Sequence, residues 1–284
     1  RAMKVYRNAD GQNSLDAVET ISVIDGGVSV DGIRVSRLLQ GGDGNTKLRK
    51  NTGKGYITAG LSLSPEKQSG AGNTCPHASP GCASACLDHQ GLASVFQTIR
   101  NARIAKTKLY YGNRTMFLDM LRSDLQRFER KAIRDDMKLA VRLNVFSDIR
   151  WEVVGIVREF KNVQFYDYTK NPKRVPMNLD NYHTTFSRSE TNEADCLEVL
   201  RLGGNVAVAF ADMSGSFTGN RSHLQRLPKT WNGVRVIDGD TTDLRFDDPT
   251  GRRRGYVVGL RLKTHSLAER EQAISSGFAV KVTR

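Results

Sequence analysis

The chain has 284 residues, with 43 Lys and Arg against 30 Asp and Glu, a formal net charge of +13 and 38% hydrophobic residues. This length buries an ordinary core without staples, so stability does not require the four cysteines, and no apolar run is long enough to span a bilayer, which excludes a membrane as the expected partner. The first residues carry charge with no apolar stretch behind them, so no signal peptide is read and the expected location is the cytoplasm.

Residues 1–50 read as a β-rich extension. Apolar and polar positions alternate from Ile21 to Ile33 around Asp25-Gly26 and Asp31-Gly32, the pattern of a hairpin or meander. Gly41, Gly42 and Gly44 then mark a joint, read as a linker because it lacks the spacing of a nucleotide-binding loop. Residues 51–284 form the second unit. Short apolar runs at 56–63, 139–146, 163–168, 182–186, 206–210, 234–237, 256–260 and 278–282 alternate with helical patterns at 94–134, 151–160, 193–202 and 267–275. The first helical region should break at Gly112-Asn113, and Phe117, Leu121, Leu125 and Phe128 place a core stripe on one face of its second half. Alternating strands and helices predict an α/β fold with a parallel sheet, and eight strands suggest a TIM-barrel-like sheet, full or partial. No helix is evident between Val234 and Tyr256, which favours the partial form as much as the closed one.

Three of the four cysteines fall in one stretch, residues 73–89, directly after the first strand of that unit. Cys75, Cys82 and Cys86 have the spacing C-x6-C-x3-C, that of a chelating loop, while Cys196 lies far off in a helical pattern and reads as a buried thiol. Three thiolates can hold a four-iron cluster whose fourth iron stays open to an external ligand such as S-adenosylmethionine. Zinc is the alternative, with His77 or His89 as fourth ligand. A loop of reduced cysteines without metal is the third reading.

In parallel sheets the reactive groups gather at the carboxyl ends of the strands. There the sequence carries Asn144, Asp148, Asp167, Glu190 and Asp240, the candidate catalytic residues, with Asn144 and Asp167 inside strands and expected to point inward. Each also has a plainer reading: Asp148 as a helix cap, and Glu190 with Arg188 and His183 as an ion network. Cations cluster in polar segments at Lys47, Arg49 and Lys50, at Lys170, Lys173 and Arg174, and at Arg252, Arg253 and Arg254. A chain this basic attracts polyanions, and these loops are the expected phosphate contacts of a nucleic acid, DNA in the leading reading.

Several phrases together, Gly44-Asn-Thr-Lys47, Asn73-Thr-Cys75-Pro, Arg142-Leu-Asn144, Phe165-Tyr-Asp167-Tyr-Thr-Lys170, Thr185-Phe-Ser187-Arg-Ser-Glu190 and Val236-Ile-Asp238-Gly-Asp240, resemble the gene product 88 family of bacteriophage and prophage proteins, from Gly44 onward. The resemblance implies a phage setting, hence the cytoplasm of an infected bacterial host. The organisation also loosely resembles radical S-adenosylmethionine enzymes, with a cluster loop after the first strand. The spacing differs from their usual C-x3-C-x2-C, and Ala85 stands where an aromatic often precedes the last cysteine. The expected function is a metal-containing enzyme that modifies a nucleic-acid base through an iron–sulfur cluster. A zinc-containing base-exchange enzyme similar to deazaguanine transglycosylases and a noncatalytic nucleic-acid-binding protein are the alternatives.

Overall fold

The computed structural model describes residues 20–42, 51, 53–86, 96–175, 179–214, 224–251 and 254–283. Strands β1 (Ile21–Ile24), β2 (Gly27–Val30) and β3 (Ile33–Val35) form an antiparallel three-stranded sheet. Its second turn is Asp31-Gly32, both residues at positive φ (49° and 79°), the geometry in which a two-residue hairpin turn matches the strand twist. The sheet does not stand apart. Val28, Val30 and Val35 belong to the same buried cluster as the long helices, and Asp124 on one of those helices accepts from Leu38 N (2.7 Å) and Leu39 N (2.9 Å).

The larger sheet contains β4 (Leu39–Gly41), β5 (Tyr56–Leu61), β6 (Lys138–Arg142), β7 (Val163–Thr169), β8 (Tyr182–Ser187), β9 (Val206–Ala211), β10 (Thr230–Trp231), β11 (Val234–Asp238), β12 (Val257–Arg261) and β13 (Val280–Lys281). Its order is β10-β11-β12-β9-β8-β7-β6-β5-β4, with β13 beside β9. All pairings are parallel except those of the two edge strands, β4 with β5 and β10 with β11. All eight apolar runs read from the sequence are therefore strands, but the sheet does not close into a barrel. The strand order reverses after β9, so β11 lies outside β12, and each edge of the parallel set is taken by an antiparallel strand instead of by the opposite edge. The segment after β11 bridges the gap with side chains instead of a ladder. Phe246 packs edge-on against Tyr56 and Tyr166 (ring centroids 5.2 and 5.5 Å), and Leu244 joins Ala140 and Tyr166 in a small buried cluster.

The helices are α1 (Pro80–Ser84), α2 (Gln97–Gly112), α3 (Arg114–Arg134), α4 (Trp151–Val154), α5 (Ile156–Glu159), α6 (Glu193–Arg201) and α7 (Leu267–Ser275). The break between α2 and α3 falls at Asn113, whose Oδ1 accepts from Met116 N (3.1 Å) as an N-cap. Phe117, Leu121, Leu125 and Phe128 are all buried in the core with Leu139, Val141 and Phe165. That packing fixes one face of β6 and β7 against the helices. Their opposite face, carrying Ala140, Arg142, Tyr166 and Tyr168, looks toward the segment after β11.

One departure from a regular sheet bears on the site. Along one side of β9, β8 pairs with Val206 and Ala207, whereas β13 pairs with Phe210 and Ala211. The chain after Ser187 leaves the sheet, and β13 enters the vacated lane.

Candidate active site

A cavity of about 270 Å3 opens at the carboxyl ends of the parallel strands. It is lined from β6 by Arg142 and the following Asn144–Asp148, from β7 by Tyr168–Lys170, from β8 by Ser187 and Arg188, and from β9 by Ala207 and Ala209. The segments after β11 and β12 add Asp240, Asp243 and Leu260–Lys263. Contributions from strands as distant in order as β6 and β12 mean that the sheet wraps around this space. On β9 the alternation is plain: Val206, Val208 and Phe210 pack with α6, while small Ala207 and Ala209 face inward and leave room.

Cys75, Cys82 and Cys86 all line this cavity, and none of the four cysteines is in a disulfide. The loop that carries them is built rigidly. Thr74, fully buried, donates its hydroxyl to Ser64 O (2.7 Å), and its carbonyl accepts from Asp148 N (2.8 Å), which ties the loop after β5 to the one after β6. Cys75 Sγ then lies 3.3 Å from Phe146 O. Cys82 sits on α1, a single turn held from outside. Ser79 is its N-cap, accepting from Cys82 N (3.2 Å), and Pro80 at the first helical position needs no hydrogen-bond partner for its nitrogen.

Glu190 completes that turn. Its carboxylate accepts from Gly81 N (2.6 Å) and from the Ser79 hydroxyl (2.7 Å), a negative group at a helix N-terminus. Burial opposes its ionisation, but these hydrogen bonds and the nearby Lys170 ammonium outweigh it and hold the carboxyl below its ordinary range. A Cβ at Gly81 would stand 2.7 Å from a Glu190 oxygen, so a larger residue there would have to displace the Glu190 carboxylate.

Burial pushes the Cys75 thiol up to about 11, and charge on Cys86 or Cys82 would push it further. Cys82 is also raised by burial, with Lys170 beside it acting in the opposite direction. Three thiols sharing one cavity are therefore costly to ionise without a cation among them. No group of three or more His, Cys, Asp or Glu side chains among the described residues is arranged to hold a single metal ion. His89 lies outside the described residues.

The expected catalytic residues divide. Asn144, 2% exposed, spends its side chain on the turn it begins: Oδ1 accepts from Ser147 Oγ (2.8 Å), Ile149 N (3.0 Å) and Trp151 Nε1 (3.0 Å), and Nδ2 donates to Ile149 O (2.9 Å) and Asp167 Oδ2 (3.1 Å). Asp167 does not point into the cavity. It shares a strand face with Val163 and Phe165, toward the helices, and accepts from Asn144 N (2.7 Å) and the Tyr182 hydroxyl (2.5 Å). Burial raises its carboxyl to about 7, against the pull of Arg174 and those hydrogen bonds. Asp148 reaches the cavity wall but does not cap a helix. It accepts from Thr169 Oγ1 (2.9 Å) and Lys170 N (2.8 Å) and pairs with Arg174. Asp240 lies in the wall, with Arg261 N 2.8 Å from Oδ2 and Lys263 Nζ 3.6 Å from Oδ1. Glu190, Arg188 and His183 form no joint network: Arg188 donates to Gly277 O (2.8 Å) and Phe278 O (3.0 Å).

The basic residues divide too. Lys170 enters the cavity and donates to Ser187 Oγ (2.9 Å), and Lys173 and Arg254 are exposed. Arg174 is 1% exposed and bridges Asp148 and Glu152, so the structure places it in the interior and not on a phosphate-facing surface. Lys47, Arg49, Lys50, Arg252 and Arg253 lie outside the described residues. Arg142, Tyr168, Asp243, Arg261 and Lys263 also line the cavity and were not among the expected site residues, although the first three fall in the polar strand-end stretches. Arg142 ends β6 directly after the apolar run Leu139–Val141, and Arg261 and Lys263 sit at another strand's carboxyl end, so strand-end position pointed to three of these five.

A large, mostly parallel sheet with a lined cavity at its carboxyl ends defines a mixed α/β protein of the kind that holds ligands at strand ends. The chain belongs to the phage gene product 88 family: that family's model, Gene product 88, matches residues 37–281. Neither the curated proteins nor the solved structures gave a match.

Proposed function

We propose that the cavity is the active site of a phage enzyme that modifies a base in nucleic acid, DNA first, and that Cys75, Cys82 and Cys86 hold an iron–sulfur cluster there. The observation that carries this reading is the convergence of three thiols from one loop on a single cavity at the carboxyl ends of parallel strands. Cys75, Cys82 and Cys86 would hold three irons of a four-iron cluster, leaving the fourth for a ligand such as S-adenosylmethionine, and such a cluster would supply an electron for radical chemistry.

The chain's own residues serve this role in distinct ways. Glu190 and Ser79 hold the turn that presents Cys82, Thr74 fixes Cys75, and the Lys170 ammonium offsets negative charge beside Cys82. Asn144 and Asp148 shape the wall next to the cysteine loop, where Asp148 N bonds Thr74 O, and Asp240 lies in the wall as well. The excess of cations favours a polyanionic substrate, with Lys173, Arg254 and the basic segments outside the described residues as candidate phosphate contacts. A base in a duplex would have to flip out to enter.

Purification without oxygen, followed by iron and zinc analysis and an absorption spectrum, tests the reading. About four irons per chain with broad absorption near roughly 400 nm, both lost in a Cys75→Ala, Cys82→Ala, Cys86→Ala variant that still folds, is the expected result. A colourless protein with about one zinc, or with no metal after reconstitution, overturns it.

A further inference from the structure

The cavity has a second chemical feature away from the cysteines. At its deep end Arg142, whose side chain is 7% exposed, lays Nη1 on both carboxylate oxygens of Asp243 (3.1 and 3.0 Å). The guanidinium lies over the Tyr168 ring at 4.6 Å, and Asp243 is fixed in turn by its own N–H to Asn51 Oδ1 (2.8 Å). Nε of Arg142 is buried with no hydrogen-bond partner among the described residues. Burying a guanidinium with an N–H unpaired is costly, and a polar ligand in the cavity that Arg142 lines would offset part of that cost. Asp243 stands beside it with a carboxylate 11% exposed. A donor and an acceptor thus lie side by side next to an aromatic ring.

The mouth differs. Lys263, 40% exposed, and Arg261 flank Asp240. Five cations and three carboxylates line the cavity as a whole, which favours an anionic ligand. Arg261 is held by Asp238 (2.7 and 2.8 Å) and Gln225 O (2.7 Å), so at the open end the exposed Lys263 ammonium is the cation placed to meet that charge. A volume of about 270 Å3 lies near the lower limit of small-ligand sites, roughly 300 Å3, and suits one nucleotide unit.

We propose that Arg142 and Asp243 are a base-recognition pair: the cavity takes a single nucleotide, its base edge on Arg142 and Asp243 beside Tyr168, its phosphate toward Lys263. A base edge that sets a hydrogen-bond acceptor next to a donor is complementary to an arginine donor next to a carboxylate acceptor. The assignment rests on the reading of the cavity as a nucleic-acid site, and it does not depend on the cluster.

Calorimetric titration of the full chain, with and without metal, tests it, using each of the four deoxynucleoside 5′-monophosphates, the matching nucleosides and a mixed-sequence single-stranded oligonucleotide. At least one monophosphate should bind, with its nucleoside at least about tenfold weaker. Arg142→Lys should lower affinity for monophosphate and nucleoside alike, whereas Lys263→Gln should weaken the monophosphate only. Asp243→Asn, checked by thermal melting, should change the ranking of the four bases. Tighter binding of the oligonucleotide than of any monophosphate identifies a nucleotide within a strand; the reverse keeps the nucleotide site and overturns nucleic acid as substrate. No binding of any of these probes, or binding indifferent to both Arg142→Lys and Lys263→Gln, refutes the assignment. The cluster is read by its own spectrum, so either proposal can fail while the other stands.

Discussion

Replacing Asn144 with alanine should destabilise the fold far more than a change at a purely catalytic position would. The side chain closes five hydrogen bonds in a site 2% exposed, three at Oδ1 and two at Nδ2. Truncation strands Ile149 N, the Trp151 indole N–H and one oxygen of Asp167 in a water-poor interior, and each orphaned buried group costs about 1–3 kcal/mol. Relaxation and entry of a water recover part of this, so a loss of about 3–5 kcal/mol is expected, a large share of the roughly 5–15 kcal/mol typical of a domain. Urea unfolding followed by tryptophan fluorescence measures it directly, because Trp151 is itself one of the partners. A loss under about 1 kcal/mol would refute the hydrogen-bond account and return Asn144 to the list of residues free to act on substrate.

Three other outcomes follow from the same geometry. Glu190→Ala removes the acceptor for Gly81 N and the Ser79 hydroxyl, so Cys82 should be alkylated several-fold faster in the metal-free protein, with Cys196 unaffected as the internal control. Arg174→Ala removes the guanidinium that bridges buried Asp148 and Glu152, leaving Glu152 only Arg150 Nε at 3.5 Å, and should cost about 3–5 kcal/mol in unfolding experiments, while Lys173→Ala on the surface changes stability by less than about 0.5 kcal/mol. Asp167 has a folded pKa raised to about 7 from 3.8, so the native state binds the extra proton between these values. Its contribution is fully present below pH 3.8 and is lost as pH rises through 7. Denaturation midpoints should fall with rising pH in that window, and Asp167→Asn should flatten the fall.

The sequence was most legible where a local pattern sufficed. Apolar runs bounded by turns marked the strands, the Phe117–Phe128 stripe marked the buried side of α3, and Asn113 marked the break before it. Closure of the sheet was not legible, because it depends on which strand occupies each edge. The three residues of β4, Leu39–Gly41, do so at one side without a strong signal of their own. The direction of Asp167 was equally hidden: Phe165 and Tyr166 are both buried, so alternation along β7 separates two faces without naming the one that meets the helices. Arg174 looked like a surface cation because it follows Asn171-Pro172-Lys173, yet its partners Glu152 and Asp148 lie 22 and 26 positions away. For the candidate site, cysteine spacing and strand-end polarity located the cavity's wall, while the Arg142–Asp243 pair spans 101 positions and needed the fold.

The change of partner along β9 gives the sheet a seam. Below it β8 and β9 are laced together; above it the lane belongs to β13, anchored by two register pairs and by the Arg188 guanidinium on the carbonyls of Gly277 and Phe278. Phe278 also forms part of the cavity wall. Val280 and Val282 pack on the same cluster as β9, and Ala279 on Ala211 and Leu262, so the width of the cavity on this side is set by how a two-residue strand beds into the core and not by the ladder of β8 and β9.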